Sequence, residues 1–334
     1  MRFSDAVEQF LLDLEALGRS ESLLGQCRLV LGQLERWLYG QGIEELEEVD
    51  LLHLRKFVQF LRGASAEERG VEKRGTGRLV VSSVALYVRL VKRFFRWCYQ
   101  EELLEEDPAG RLRQPRVEKK VKPTLRPEQV EALLGVCDVS TRDGLRDYAI
   151  VAVLLDTGIR VSELVGLRLV DLDLKHRCLK VRKAKGKKER VVGLYPLVAK
   201  VLWRYLHMSR PKYGVARVDE HVFLGARGPL KAQGVRAILW QLVRRAGLEE
   251  SVKRGECPRV TPHVFRHTFS KRYLLRGGDL FKLSRMLGHS SVQVTSEVYL
   301  SDFQSEDALG DHDEYSPSGE IRFPWGGRRK KPRS

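Results

Sequence analysis

The stretch CLKVRKAKGKKERVVGL, residues 178–194, places two short apolar runs, CLKVRKA and ERVVGL, on either side of the charged turn KGKK. Runs of this length, rich in leucine and valine and joined by a glycine-bearing turn, predict a β-hairpin. A shorter run, HVFLGA at 221–226, predicts one more brief strand. Around them the apolar spacing is helical. Helices are expected at 127–135, 143–156, 161–167, 196–208, 231–246, 262–276, 279–287 and 291–300. The hairpin therefore defines residues 124–309 as an α+β domain, mostly helical, with one small antiparallel sheet.

Upstream the pattern is helical throughout. SDAVEQFLLDLEAL opens on Ser4 as a candidate N-cap and sets Val7, Phe10, Leu11, Leu14 and Leu17 on one face. A second helix is expected from Ser22 to Tyr39 and a third after Asp50. A fourth spans SSVALYVRLVKRFFRWCYQEEL and ends before Asp107 and Pro108. These four helices make a domain of residues 1–110. Arg89, Lys92, Arg93 and Arg96 lie between the apolar positions of the fourth helix. Residues 111–123, RLRQPRVEKKVKP, carry Arg111, Arg113, Arg116, Lys119 and Lys120 around two prolines and read as an extended basic linker. Residues 310–334 are polar and end in GGRRKKPRS, a flexible tail. The chain as a whole is expected to be mainly α.

The 334 residues carry a formal net charge of +16, which calls for a polyanionic partner such as nucleic acid. The longest apolar run, AIVAVLL at 149–155, is far too short to span a bilayer, and the first ten residues have no signal-peptide core. A cytoplasmic, nucleoid-associated protein is expected. The five cysteines, Cys27, Cys98, Cys137, Cys178 and Cys257, show no C-x-x-C and imply neither a disulfide framework nor a thiolate metal site.

In TPHVFRHTFS, residues 261–270, Thr261 is a good N-cap and Pro262 suits the first helical position. His263 and His267 stand four apart, a spacing that can hold zinc. Arg266 between them argues against a dication, and no third ligand is evident. His263, Arg266 and a helix N-terminus suit an oxyanion instead, with His267 a structural histidine. In LLDTGIRVSELVGL, residues 154–167, an apolar helix breaks at Thr157 and Gly158, and Arg160 emerges beside Glu163. Arg160 is either ion-paired to Glu163 or a second phosphate clamp.

TGIRVSELVGL, KGKKERVV, HVFRHTFS and LGHSSVQVTSEVY occur in the order and rough spacing of the tyrosine recombinase, or phage integrase, family. The resemblance is close over 124–300 and looser over the helical N-terminal part, which is similar to the family's core DNA-binding domain. The two-domain layout looks most like Xer recombinases and integron or transposon integrases. Carried onto this chain, the resemblance makes Arg160 and Arg266 the two catalytic arginines, Lys185 the hairpin lysine and Tyr299 the nucleophile. His263 and His289 take the two histidine positions, with Glu163 as acidic support. Ala184 departs from the glycine more often found before that lysine, and Lys187 and Lys188 crowd the same turn as further DNA contacts. Tyr315 is a rival nucleophile by residue type, but it sits in the polar stretch DHDEYSPSG, outside the motif.

What the resemblance implies is a DNA recombinase that needs no metal and no ATP. The clamp would lower the phenol's pKa from about 10 and hold the phosphodiester. Tyr299 would form a 3′-phosphotyrosine while Lys185 protonates the leaving 5′ oxygen. The partners implied are double-stranded DNA with specific sites, bound through Arg89, Lys92, Arg93 and Arg96 of the fourth helix and Arg111, Arg113, Arg116, Lys119 and Lys120 of the linker, and either a tetramer of identical subunits or a paralogous subunit. Exchange would run through a Holliday junction during integration, excision or resolution. The segment SDFQSEDALGD after Tyr299 would be the arm that docks on a neighbouring subunit.

Overall fold

The computed structural model describes residues 1–65, 67–69, 77–117, 122–182, 189–288, 291 and 293. The chain forms two compact units, Met1–Lys120 and Val121–Ser334.

The first unit contains α1 (Phe3–Ala16), α2 (Glu21–Tyr39), α3 (Leu51–Gly63) and α4 (Val81–Gln100). Phe3, Val7, Phe10 and Leu14 of α1 are buried, as the spacing demands, whereas Leu17 is exposed beyond the helix end. Ser4 is not the cap: α1 starts two residues earlier than that cap would place it, behind Arg2, and the Ser4 hydroxyl donates to Asp5 Oδ1 at 3.3 Å. Ser20 caps α2 by accepting from the Leu23 N–H, and Asp50 caps α3 by accepting from the His53 N–H. Each satisfies a helical donor that would otherwise lack a partner. Phe94 of α4 centres the core, with ring centroids 5.3 Å from Phe3, 5.5 Å from Phe10 and 5.1 Å from Phe95.

The opposite side of α4 carries Arg89 and Arg96, both exposed, with Lys92 and Arg93 half-buried between them. Spacings of three, four and seven residues put all of them on one stripe. Lys92 is engaged: its Nζ donates to the carbonyls of Gly110 and Leu112, each at 3.0 Å. Leu112 is itself buried in this core, so the first residues of the basic stretch pack as part of the unit. Arg111, Arg113 and Arg116 are exposed. Lys119 and Lys120 lie outside the described residues.

The second unit contains α5 (Pro127–Gly135), α6 (Arg142–Thr157), α7 (Val161–Val165), α8 (Pro196–Arg204), α9 (Ala232–Arg245), α10 (Glu249–Lys253), α11 (Pro262–Leu275) and α12 (Leu280–Leu287). The hairpin strands are β2 (Cys178–Val181) and β3 (Arg190–Gly193), antiparallel with Leu179 opposite Val192. A third strand, β1 (Leu172–Asp173), pairs with β2 and was not expected: two residues are too few to show a period. The run at 221–226 contributes β4 (Leu224–Gly225), which pairs with β5 (Gly228–Pro229) as a separate two-stranded sheet. The helix expected at 196–208 continues past Arg204 as a π turn, Tyr205–Ser209. The helix expected at 291–300 lies almost wholly outside the described residues, as do the tail and Tyr315.

Candidate active site

The break after α6 is made by Gly158, in the left-handed region at φ 59°. A Cβ there would also stand 2.6 Å from Phe269 Cδ1, so glycine is required by both conformation and space. The turn delivers two groups. The Gly158 carbonyl accepts from Arg266 Nη1 at 2.9 Å, and two residues on, Arg160 becomes the N-cap of α7. Glu163 folds back onto that cap: its Oε2 accepts from the Arg160 N–H at 2.8 Å and its Oε1 from Arg160 Nη1 at 3.2 Å.

Helix α11 supplies Arg266 and the two histidines. Thr261 caps it, with Oγ1 accepting from the Val264 N–H. Thr268 Oγ1 accepts from the Leu125 N–H at 2.9 Å and Arg272 donates to the Leu125 carbonyl at 3.1 Å, which ties the helix to the start of the unit. Arg266 is buried, 3% exposed, and its Nη2 donates to the Leu287 carbonyl at 2.8 Å. Arg160 Nη1 donates to the same carbonyl at 3.3 Å. Leu287 is the last residue of α12, where carbonyls lack helical partners, so the helix end is a natural seat for guanidinium groups.

A third arginine belongs to this cluster and was missed by sequence reasoning. Arg190, the first residue of β3, donates to Glu163 Oε1 at 2.9 Å and Oε2 at 2.8 Å, and its Nε donates to the Met286 carbonyl at 2.6 Å. A signal existed: strand alternation puts Arg190 on the same face as buried Val192, an inward position where an arginine needs a partner. Burial works against the charged form of Glu163, but the Arg190 fork and the Arg160 N–H outweigh it and hold the carboxyl below its usual range. Two guanidinium groups thus share one carboxylate, and the third, that of Arg266, shares the Leu287 carbonyl with Arg160. The side chains of Arg190 and Glu163 are each 9% exposed, whereas that of Arg160 is 37% exposed, with Nε and Nη2 unpaired among the described residues. The surplus positive charge and the open edge of Arg160 suit an anion.

His263 is exposed in the first turn of α11. Partial burial, then the charges of Arg266, Arg160, Lys122 and Arg236, push its pKa below the ordinary histidine value. Half-buried His267 is pushed down to about 4 by burial, Lys122, His263 and Arg266. Both rings are therefore neutral at pH 7; they lie nearly parallel with centroids 6.0 Å apart. Among the described residues no three His, Cys, Asp or Glu side chains gather into a possible metal site. The structure brings together Arg160, Glu163, His263, Arg266 and His267. Lys185, Lys187, Lys188, His289 and Tyr299 lie outside the described residues.

Residues 123–306 match the phage integrase family. The tyrosine recombinase XerD of Proteus mirabilis is 33% identical over 295 residues, covering 88% of this chain and 87% of that protein. The tyrosine recombinase XerC of Bacillus pumilus is 34% identical over 268 residues, covering 79% and 80%. Among solved structures, the Tn1549 transposon integrase in complex with transposon right end DNA has the same fold. It aligns with a TM-score of 0.72 at 20% identity, over 95% of this chain and all of that one. The chain belongs to the phage integrase family. Its activity within that family is site-specific recombination by the tyrosine recombinase mechanism.

Proposed function

We propose that Arg160, Arg266 and His263 hold the scissile phosphodiester of a double-stranded DNA recombination site, and that Tyr299 attacks it. The observation that carries this is the pairing of Arg160 and Arg190 with the carboxylate of Glu163 and of Arg160 and Arg266 with the last carbonyl of α12, with Arg160 open to solvent. The clamp neutralises the non-bridging oxygens as phosphorus becomes five-coordinate. His263, neutral at pH 7, takes the phenolic proton of Tyr299. A bond forms between the tyrosine oxygen and phosphorus while the bond to the 5′ oxygen breaks, and Lys185 gives that oxygen its proton. His289 adds a hydrogen bond to the phosphate. The 3′-phosphotyrosine conserves the energy of the broken bond, so an incoming 5′ hydroxyl reverses the step and exchanges strands.

The exposed Arg89 and Arg96 of α4, with Arg93 beside them, then lie on DNA phosphates, as do Arg111, Arg113 and Arg116 and the lysines 119, 120, 187 and 188. Lys92 supports this surface from within through its bonds to Gly110 and Leu112. Strand exchange between two sites takes four subunits and passes through a Holliday junction.

The test is covalent trapping. A nicked, labelled duplex, selected for binding from a random-sequence pool, is incubated with the protein and resolved in SDS. Wild type should give a slow-migrating adduct and Tyr299→Phe none. An adduct that persists in the variant removes Tyr299 from the role.

A further inference from the structure

Arg190 has no place among the residues to which the family resemblance assigns a role, yet its guanidinium joins three parts of the candidate site. We propose that Arg190 is a positioning residue for strand cleavage, acting through Glu163 and the end of α12 to set Arg160 and Arg266 against the phosphate. The inference rests on the phosphodiester-cleaving reading of the site.

Glu163 can accept on two oxygens, and an arginine fork left alone with it would pair with both. Arg190 already does so, at 2.9 and 2.8 Å. Arg160 is thereby confined to one side-chain bond with the carboxylate, from Nη1 at 3.2 Å, and keeps Nε and Nη2 for a ligand. Without Arg190, Glu163 would compete with the phosphate for the whole edge of Arg160.

The second link is through the backbone. Arg190 Nε holds the Met286 carbonyl at 2.6 Å. The next carbonyl, Leu287, accepts from Arg160 at 3.3 Å and Arg266 at 2.8 Å. Each peptide unit is planar and Leu287 keeps the φ and ψ of α12, so holding the Met286 carbonyl also restrains the acceptor that both other arginines share. Gly288 follows in the left-handed region at φ 64°, and a Cβ on it would stand 2.9 Å from Arg190 Nη1. The chain leaving α12 thus passes directly over the guanidinium.

A link needed only for packing would not require charge, since an apolar side chain of similar volume commonly replaces a buried ion pair without loss. A planar fork that reaches a carboxylate and a carbonyl together is a device for geometry.

The experiment uses the full chain and the nicked duplex described above. Single-turnover adduct formation and gel-shift affinity are measured for wild type, Arg190→Gln, Glu163→Gln and the double variant. Each single substitution should slow adduct formation about 10- to 100-fold with affinity unchanged. The double variant should be no slower than the slower single, because both remove the same link. Arg190→Lys, which keeps the charge but lacks the fork, should bind normally and cleave slowly, and it serves if the glutamine variant does not fold. Full-rate cleavage by Arg190→Gln or Arg190→Lys overturns the proposal. So do losses that multiply in the double variant, or an affinity that falls in step with cleavage. Absence of an adduct with wild type, or its presence with Tyr299→Phe, speaks instead against the parent reading of the site.

Discussion

In the N-terminal unit the interior is ring against ring: Phe3, Phe10, Phe94 and Phe95 meet with centroids 5.1 to 5.5 Å apart along the row. In the C-terminal unit, α11 buries Arg266, Thr268 and Ser270 alongside Val264 and Phe265. Arg146, Asp147, Asp171 and Arg210 are buried in the same unit. The first interior is held by apolar area, which is indifferent to direction and nearly so to pH. The second holds hydrogen-bonded charge, which is directional and titratable. A surface that must present a stripe of arginines needs only a firm platform behind it. A site that must place guanidinium groups around one phosphate needs fixed angles, and buried polar partners supply them.

The largest effect should come from the apolar side of this contrast. Phe94→Ala removes a ring packed against three others and should destabilise the N-terminal unit by about 3–5 kcal/mol. Urea titration followed by the fluorescence of Trp37 and Trp97 should show it, by the same amount at pH 5 and pH 8. A strong pH dependence there would break the contrast.

A smaller effect, with the opposite signature, should come from His267. Its folded pKa of about 4 lies below the ordinary 6.5, so between those values the unfolded chain binds the proton first. This contribution to stability is intact above pH 6.5 and is lost as pH falls toward 4. His267→Gln should flatten that part of the pH–stability curve of the C-terminal unit. An unchanged slope would place the titrating group elsewhere.

The smallest effect should come from the exposed stripe. Replacing Arg89 and Arg96 together by alanine should leave both stabilities unchanged. It should lower the magnitude of the slope of log affinity against log salt by about 2, one for each phosphate that is no longer neutralised. A slope that stays put would move the DNA path away from α4.

Much of this organisation was legible in the chain. The spacing of Val7, Phe10 and Leu14, the Asp50 cap and the hairpin at 178–194 each depend on neighbours in sequence, and each is found in place. Arg160, Glu163, His263 and Arg266 came from local motifs and do converge. Arg190 did not, because its meaning lies in Glu163, 27 residues upstream, and Met286, 96 residues downstream. Lys92 stands in the basic series of α4 with Arg89, Arg93 and Arg96, but the chain beyond the helix returns to it and takes its hydrogen bonds. Helix α11 carries no clean amphipathic stripe, since its polar residues are buried beside its apolar ones.

The sequence by itself determined the helices, their caps, the basic balance and the residue types of an anion-holding site, because propensity, capping and charge act over a few residues. Only the tertiary structure decided which arginines share one carboxylate, which carbonyl two of them share, and which edge is left open. Those outcomes depend on the left-handed turns at Gly158 and Gly288 and on where β3 meets the end of α12. A buried charge takes its role from the partners that desolvation forces upon it, and those partners come from distant parts of the chain.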